Sequence, residues 1–332
     1  MHTFAIVGAT GAVGVEILKV LEKRNFPLKK LRLFSSARSA GKEMGFRGKT
    51  IVVEELEQSS FKSVDMAIFS AGGAVSKQFA PIAAKEGCIV IDNSSAWRMD
   101  DSVPLVIPEI NAAALKSHKN IIANPNCTTI VALMALYPLH REFGVERIFA
   151  ASYQAVSGTG AQAVAELERQ VQQVVNGEPV TKEVYSHQIA FNVIPQVDVF
   201  LPSGYTKEEM KLQNEGRKIM GHPDFKATVT CVRVPVYRAH SVAVAAEFQK
   251  QITPGAAREV FKRAPGIEVV DNPKNALYPT PLDVSGKDNC QVGRIRQDCA
   301  FENGISFWVV GDQLLKGAAL NAVQIAEELI KA

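Results

Sequence analysis

Along the first third of the chain, short apolar runs alternate with amphipathic stretches. Residues 3–7 are a compact run of strand formers; Gly8, Ala9, Thr10, Gly11, Ala12, Val13 and Gly14 follow, and residues 15–21 return apolar side chains at helical spacing. Residues 30–34, 66–69 and 88–91 read as further buried strands, and the four strand ends carry Gly, Ser, Thr or Asn. Strands alternating with helical patterns predict a parallel sheet with crossover helices. In such sheets ligands bind beyond the carboxyl ends of the strands.

The second half changes character. Residues 148–156 read as a strand running into Ser157, Gly158, Thr159 and Gly160, and residues 161–175 as a helix. Residues 228–236 and 241–249 alternate like half-buried antiparallel strands, residues 304–310 read as another strand, and residues 313–330 as an amphipathic helix. The pattern predicts an α/β chain: a Rossmann-type dinucleotide-binding domain with an inserted α+β catalytic and dimerisation domain. The nucleotide domain takes residues 1–127 plus 311–332, the insertion residues 128–310, and the last helix packs back on the nucleotide domain.

Composition fits this picture. A chain of 332 residues, 47% hydrophobic and 21% charged, is an ordinary globular composition with room for two domains. A net charge of +3 is too small to argue for nucleic acid or a membrane surface, and neither is expected as a partner. No apolar stretch has transmembrane length, and the amino terminus leads into the first strand with no room for a signal peptide. The five cysteines, at 88, 127, 231, 290 and 299, are odd in number and lack metal-ligand spacing. Free thiols in a reducing cytoplasm, with no metal, is the reading.

Candidate chemistry begins at the first loop. Glycines between a strand and a helix permit a tight turn and let backbone N–H groups approach a pyrophosphate. The spacing here is G-x-x-G-x-x-G, not the commoner G-x-G-x-x-G, so a ligand-free Gly-rich turn is the bland alternative. NAD enzymes place an acidic residue at the end of the second strand; this chain has Ser35, Ser36, Ala37 and Arg38, which suit a 2′-phosphate and favour NADP. Cys127 follows Asn124, Pro125 and Asn126 where an extended segment turns into a helix, a position that lowers a thiol pKa. The other four cysteines read as small buried hydrophobes. A thiol nucleophile usually has a basic partner. Of six histidines, His240 stands between two strand patterns with Arg233, Arg238 and Ser241 nearby; on spacing alone it reads as a structural histidine.

Taken in order, these motifs resemble the aspartate-β-semialdehyde dehydrogenase family. The likeness rests on Gly8 to Gly14, Asn93-Ser94-Ser95-Ala96-Trp97-Arg98, Asn124-Pro125-Asn126-Cys127, Gln154 to Gly160, Glu208 to Lys211, Arg233 to Ser241 and Asp312 to Gly317. The resemblance implies NADPH-dependent reduction of L-aspartyl-4-phosphate to L-aspartate-4-semialdehyde with release of inorganic phosphate. That reaction leads toward lysine, methionine, threonine and, in bacteria, diaminopimelate. It implies Cys127 as nucleophile with Gln154 beside it, His240 as acid–base group, Arg233 on the substrate carboxylate and Glu208 on its ammonium. Arg98, Lys211 and Asn126 would hold phosphate. Thr10, Gly11, Ala12, Val13, Ser35, Ser36, Arg38, Ser157, Gly158 and Gln313 would hold NADP, with Gln313 standing where many members carry Asn. A homodimer is likewise implied. N-acetyl-γ-glutamyl-phosphate reductase shares the architecture, but its thiol typically follows Gly, and Asn126 precedes Cys127 here. A non-catalytic nucleotide-binding relative is the rival from another class. Arg233 and His240, seven residues apart, reach one site only if the strand breaks, and Pro235 is a plausible break. Arg238 shares His240's parity and competes for the carboxylate clamp.

Overall fold

The computed structural model describes residues 2–331 and divides into two compact units, one comprising the chain up to Asn126 and again from Ala318, the other Cys127–Gly317. The first unit begins with β1 (His2–Val7), α1 (Ala12–Lys23), β2 (Leu28–Ser35), β3 (Glu43–Phe46) and β4 (Lys49–Glu55). It continues through β5 (Met66–Phe69), α2 (Gly73–Lys85), β6 (Ile89–Asp92), α3 (Pro108–Asn111) and β7 (Ile121–Ala123). These strands form a seven-stranded sheet in the order β3-β4-β2-β1-β5-β6-β7. Every neighbouring pair is parallel except the β3–β4 edge hairpin. β1 lies near the middle, and Phe4 to Val7 are fully buried. A strand covered on both faces needs a continuous apolar run, which is why the sequence here does not alternate. Helix α1 buries Ile17, Leu18, Val20 and Leu21, each worth about 1.5–3 kcal/mol of transfer free energy. The C-terminal helix, Leu320–Lys331, belongs to this unit: Asn321 Nδ2 donates to Val106 O and Asn124 Oδ1, and Arg24 forks onto Glu327.

The second unit opens with α4 (Cys127–Phe143), then β8 (Val145–Gln154), α5 (Ala161–Val175), α6 (Lys207–Met220), β9 (Lys226–Arg233) and β10 (His240–Phe248). It closes with α7 (Pro254–Arg263), β11 (Ile267–Val269), α8 (Pro281–Val284), β12 (Cys290–Gln297) and β13 (Gly304–Gly311). The six-stranded sheet runs β11-β12-β13-β10-β8-β9. Helices α4, α6 and α7 pack on one face. α4 is apolar nearly all round, with Ile130 to Leu136 buried, as expected of a helix inside a core.

The fold corrects three expectations. Of the two segments expected to be antiparallel strands, β10 is antiparallel to both β8 and β13, but β9 runs parallel to its neighbour β8. Alternation reports one covered face, not the direction of the neighbouring strand. The helix expected over residues 313–330 is broken. A π-helical turn covers Leu315–Ala319 because Asp312 Oδ1 accepts the N–H groups of Leu314 and Leu315 while its carbonyl takes Gly317 N. Cys299 is exposed, in the loop joining β12 to β13, whereas Cys88, Cys231 and Cys290 are buried as read. No described helix is long and apolar enough to cross a membrane.

In the last turn of α4, the ring of His140 stacks on that of His222 with centroids 5.1 Å apart. His140 Nδ1 accepts from Val145 N, and His222 Nε2 bonds Val145 O. Burial first, and His222 second, hold His140 below its ordinary 6.5. A histidine with a depressed folded pKa contributes stability that is whole above about 6.5 and declines as pH falls, by up to about 1.4 kcal/mol per pH unit. The thermal midpoint is expected to fall between pH 7 and pH 5, with a shallower slope in His140→Gln, read by calorimetry across that range. Equal slopes in the two proteins would show that His140 carries none of this dependence.

Candidate active site

In the first unit, β1 ends in a glycine loop whose shape explains two of its three glycines. Gly8 has φ +84°, and a Cβ there would lie 2.4 Å from Ser70 O. A Cβ on Gly14 would lie 2.3 Å from Gly8 O, so Gly14 lets α1 seat on the turn. Gly11 caps α1 and is exposed together with Ala12, leaving N–H groups at a helix start open to an anion. Gly8 N and Ala9 N both donate to Phe34 O, and Thr10 Oγ1 bonds Ser35 Oγ at 3.1 Å. The loop is thereby tied to the end of β2, where Ser36 and Arg38 are exposed. This cradle fits a dinucleotide: open backbone donors for a pyrophosphate, hydroxyls and a guanidinium for a further anionic group. Arg98, 7% exposed, donates from Nε to Asn124 O and from Nη2 to Asn93 O, and Asn126 is also buried.

In the second unit, Cys127 is the first residue of α4. Burial pushes the Cys88 and Cys231 thiols up to about 12, which leaves them protonated and inert. Cys127 is only partly buried. The Cβ that Gly317 lacks would lie 3.0 Å from Cys127 Cβ, so the glycine keeps the π turn clear of the thiol's residue. Beside it, Gln154 at the end of β8 is 1% exposed and donates to Thr128 Oγ1 at 2.8 Å, Ser152 Oγ and Glu208 Oε1. Glu208 is fixed at the start of α6, whose first turn is closed by a Thr206–Glu209 capping box. Its other oxygen pairs with Lys211 Nζ at 2.7 Å, and Lys211 also reaches Asp198 Oδ2 at 3.4 Å.

Arg233 and His240 converge as the proposed strand break requires. β9 ends at Arg233, the chain crosses Val234 to Ala239, with Ala239 at φ 72°, and β10 starts at His240. A Cβ on Gly158 would lie 3.1 Å from His240 Cε1 and 3.2 Å from Arg233 Nη1, so both side chains border the same spot. Ala155 serves them together: its carbonyl accepts Arg233 Nη1 at 2.8 Å and its N–H donates to His240 Nδ1 at 3.1 Å. Accepting at Nδ1 places the ring proton of neutral His240 on Nε2, which is buried and has no hydrogen-bond partner. Burial, then the Arg233 charge, push His240 down to about 3, so the ring is neutral near pH 7. Arg233 Nε is also buried without a partner, and the guanidinium lies 5.9 Å from the Tyr185 ring centroid.

Arg238 does not compete for this place. Its Nε is 2.6 Å from Asp312 Oδ2, a fully buried carboxylate that also takes Gly286 N. Gln313 bridges two segments: Nε2 donates to Ser157 Oγ at 2.6 Å and Oε1 accepts Ala239 N at 2.7 Å. Its extra methylene relative to Asn is thus used.

Tyr185, Thr159 and Asp198 escape sequence reading. Together with Arg233 they line a cavity of about 320 Å³; Tyr185 and Asp198 lie in irregular chain without periodicity or motif, and Thr159, although inside the Gln154 to Gly160 motif, carries no signal of its own there.

Two family descriptions cover most of the chain: "Semialdehyde dehydrogenase, NAD binding domain" matches residues 3–118, and "Semialdehyde dehydrogenase, dimerisation domain" matches residues 136–316. The aspartate-semialdehyde dehydrogenase of Aquifex aeolicus is 53% identical, covering 99% of this chain and 98% of the relative. That of Bacillus subtilis is 49% identical, covering 98% and 97%. A crystal structure of aspartate semialdehyde dehydrogenase II complexed with ASA from Vibrio cholerae superposes with TM-score 0.97 at 46% identity, covering 100% of this chain and 98% of that one. Identity at this level along both chains, with each half matched by its own semialdehyde dehydrogenase domain, shows that the chain belongs to the aspartate-semialdehyde dehydrogenase family.

Proposed function

We propose that the chain catalyses NADPH-dependent reductive dephosphorylation of L-aspartyl-4-phosphate to L-aspartate-4-semialdehyde through a thioester on Cys127, in the cytoplasmic synthesis of aspartate-derived amino acids. The observation that carries this reading is the helix-initial thiol, with Gln154 bonded to its neighbour Thr128 and with Arg233 and His240 held on the adjoining residue Ala155.

As its thiolate, Cys127 attacks the acyl carbon, a C–S bond forms and the C–O bond breaks with inorganic phosphate as leaving group, which divides one hard step into two easier ones. When bound, NADPH supplies the hydride that reduces the thioester carbon. His240 Nε2–H donates a hydrogen bond to the oxygen that gains charge there; as that oxygen re-forms the C=O bond, the C–S bond breaks, the aldehyde leaves and Cys127 is returned as its thiolate. Arg233 offers its unpartnered Nε to the substrate carboxylate, and Glu208 faces the ammonium. Arg98, Asn126 and Lys211 hold the phosphate. For the cofactor, Thr10, Gly11, Ala12 and Val13 take the pyrophosphate, and Ser35, Ser36 and Arg38 the 2′-phosphate. Ser157, Gly158 and Gln313 complete its contacts.

The working form is a homodimer. What supports this is the outer face of the six-stranded sheet, where Phe149, Ala151 and Tyr153 alternate outward on β8 beside Ala243, Ala245 and Trp308. Phe149 is 52% exposed there, a large apolar surface for an uncovered sheet.

The primary test is NADPH formation by the purified protein from L-aspartate-4-semialdehyde and NADP, with and without inorganic phosphate. Phosphate-dependent formation is expected; cofactor binding without turnover would move the reading to a different acyl phosphate or to a non-catalytic relative. Cys127→Ala is expected to lower turnover by roughly 10⁴-fold or more while NADP still binds by fluorescence titration. Dehydrogenase activity retained in that variant would remove the thioester. Arg38→Ala is expected to raise the KM for NADP by about 10–100-fold, the loss of a charged hydrogen bond, and to leave the KM for NAD little changed. Equal losses for both would remove the 2′-phosphate role.

A further inference from the structure

Between α5 and α6 the chain runs through residues 176–206 without regular structure. An irregular segment of this length inside a compact unit is usually functional, and here it is held rigidly from one side. Glu166, on α5 and 1% exposed, accepts the backbone N–H groups of Glu183, Val184 and Tyr185. One turn on, fully buried Gln170 accepts Ile189 N and Ala190 N and donates to Thr181 O. Two buried side chains therefore satisfy five successive or near-successive amides that have no strand or helix to bond them. A buried carboxylate is an expensive anchor unless every lone pair is used, so its presence points to a segment whose placement matters.

The anchored residues are those that meet Arg233. The Tyr185 ring lies 5.9 Å from the guanidinium, and its hydroxyl donates to Thr159 Oγ1 at 3.0 Å, next to the Ser157–Gly158 turn. Farther along, Ile194 exchanges both backbone hydrogen bonds with Arg233, at 2.9 and 2.8 Å. Val184, Tyr185, Ser186 and Asp198 from this segment line the same cavity as Arg233.

We infer that residues 176–206 are the substrate-carboxylate wall, that Tyr185 is a substrate-pocket residue setting the direction of Arg233, and that Glu166 is a positioning residue acting through Tyr185. The inference rests on the reading of Arg233 as the carboxylate clamp. The aromatic face fixes the guanidinium from the side and excludes water from it, while the Ile194 bridge fixes its backbone. Glu166 touches no substrate; it holds the three amides that set the Tyr185 ring.

The test compares Glu166→Gln, Tyr185→Ala, Tyr185→Phe and Arg233→Ala in the full enzyme, measuring KM for L-aspartate-4-semialdehyde and for NADP, kcat and thermal midpoint. Glu166→Gln preserves shape but turns an NH2 group toward backbone donors. It is expected to raise the semialdehyde KM about tenfold with the NADP KM unchanged. Tyr185→Ala should do the same, and Tyr185→Phe, which keeps the ring, should restore most of the affinity. A fall in thermal midpoint with an unchanged semialdehyde KM in Glu166→Gln and Tyr185→Ala, while Arg233→Ala raises that KM, would overturn the wall alone. An unchanged semialdehyde KM in Arg233→Ala would overturn the clamp reading instead. Should Glu166→Gln fail to fold, the contrast between Tyr185→Ala and Tyr185→Phe decides the matter.

Discussion

One residue fixes the geometry of the candidate site in the second unit. Ala155 donates its N–H to His240 and offers its carbonyl to Arg233, while the preceding side chain, Gln154, bonds Thr128 on α4 and Glu208 on α6. The end of β8 is thus the point to which thiol helix, imidazole, guanidinium and carboxylate are all referred. β8 earns that role by position: it lies inside the sheet, parallel to β9 on one side and antiparallel to β10 on the other. A change in its register by one residue would turn Gln154 to the opposite face and leave several buried polar groups without partners, each at about 1–3 kcal/mol.

That arrangement also governs the protonation state of the site. Arg233 and His240 share Ala155, so a permanent cation stands beside a buried imidazole. Both burial and that charge favour the neutral ring, and the accepted N–H at Nδ1 selects the tautomer with its proton on Nε2. A histidine held in this way presents a donor across the whole range near pH 7 and does not switch with it. In the proposed reaction, that fixed donor would stabilise charge appearing on a substrate oxygen in a place where water does not compete.

Local features were legible in the sequence, and long-range pairing was not. The glycine loop, the strand ends and the helix start at Cys127 follow from steric rules that act over a few residues. So does the break after Arg233, where Pro235 ends a strand that cannot continue. The neighbours of β9 and β10 could not be read, because alternation reports burial of one face and says nothing of a third strand lying between. Nor could the π turn at Leu315–Ala319, which depends on buried Asp312 and not on periodicity. Cys299 looked like its buried counterparts because the composition of a hairpin loop does not record its exposure. The roles given to Cys127, His240 and Arg233 come from the order of motifs in the family; the residues alone leave Arg238 a rival, and no spacing records its ion pair with Asp312.

The segment 176–206 shows why a site can hide in plain sequence. Its residues obey neither helical nor strand spacing, since their amides bond side chains on α5 in place of a ladder. The information that orders Tyr185 is therefore stored in Glu166 and Gln170, four residues apart on one helical face, where they read as ordinary polar positions of an amphipathic helix. A buried acid is tolerated on that face because the segment supplies the donors, and the segment is ordered because the acid supplies the acceptors. Neither half of the pair is informative alone, so a reading that scores helix and loop separately passes over the element that walls the Arg233 cavity.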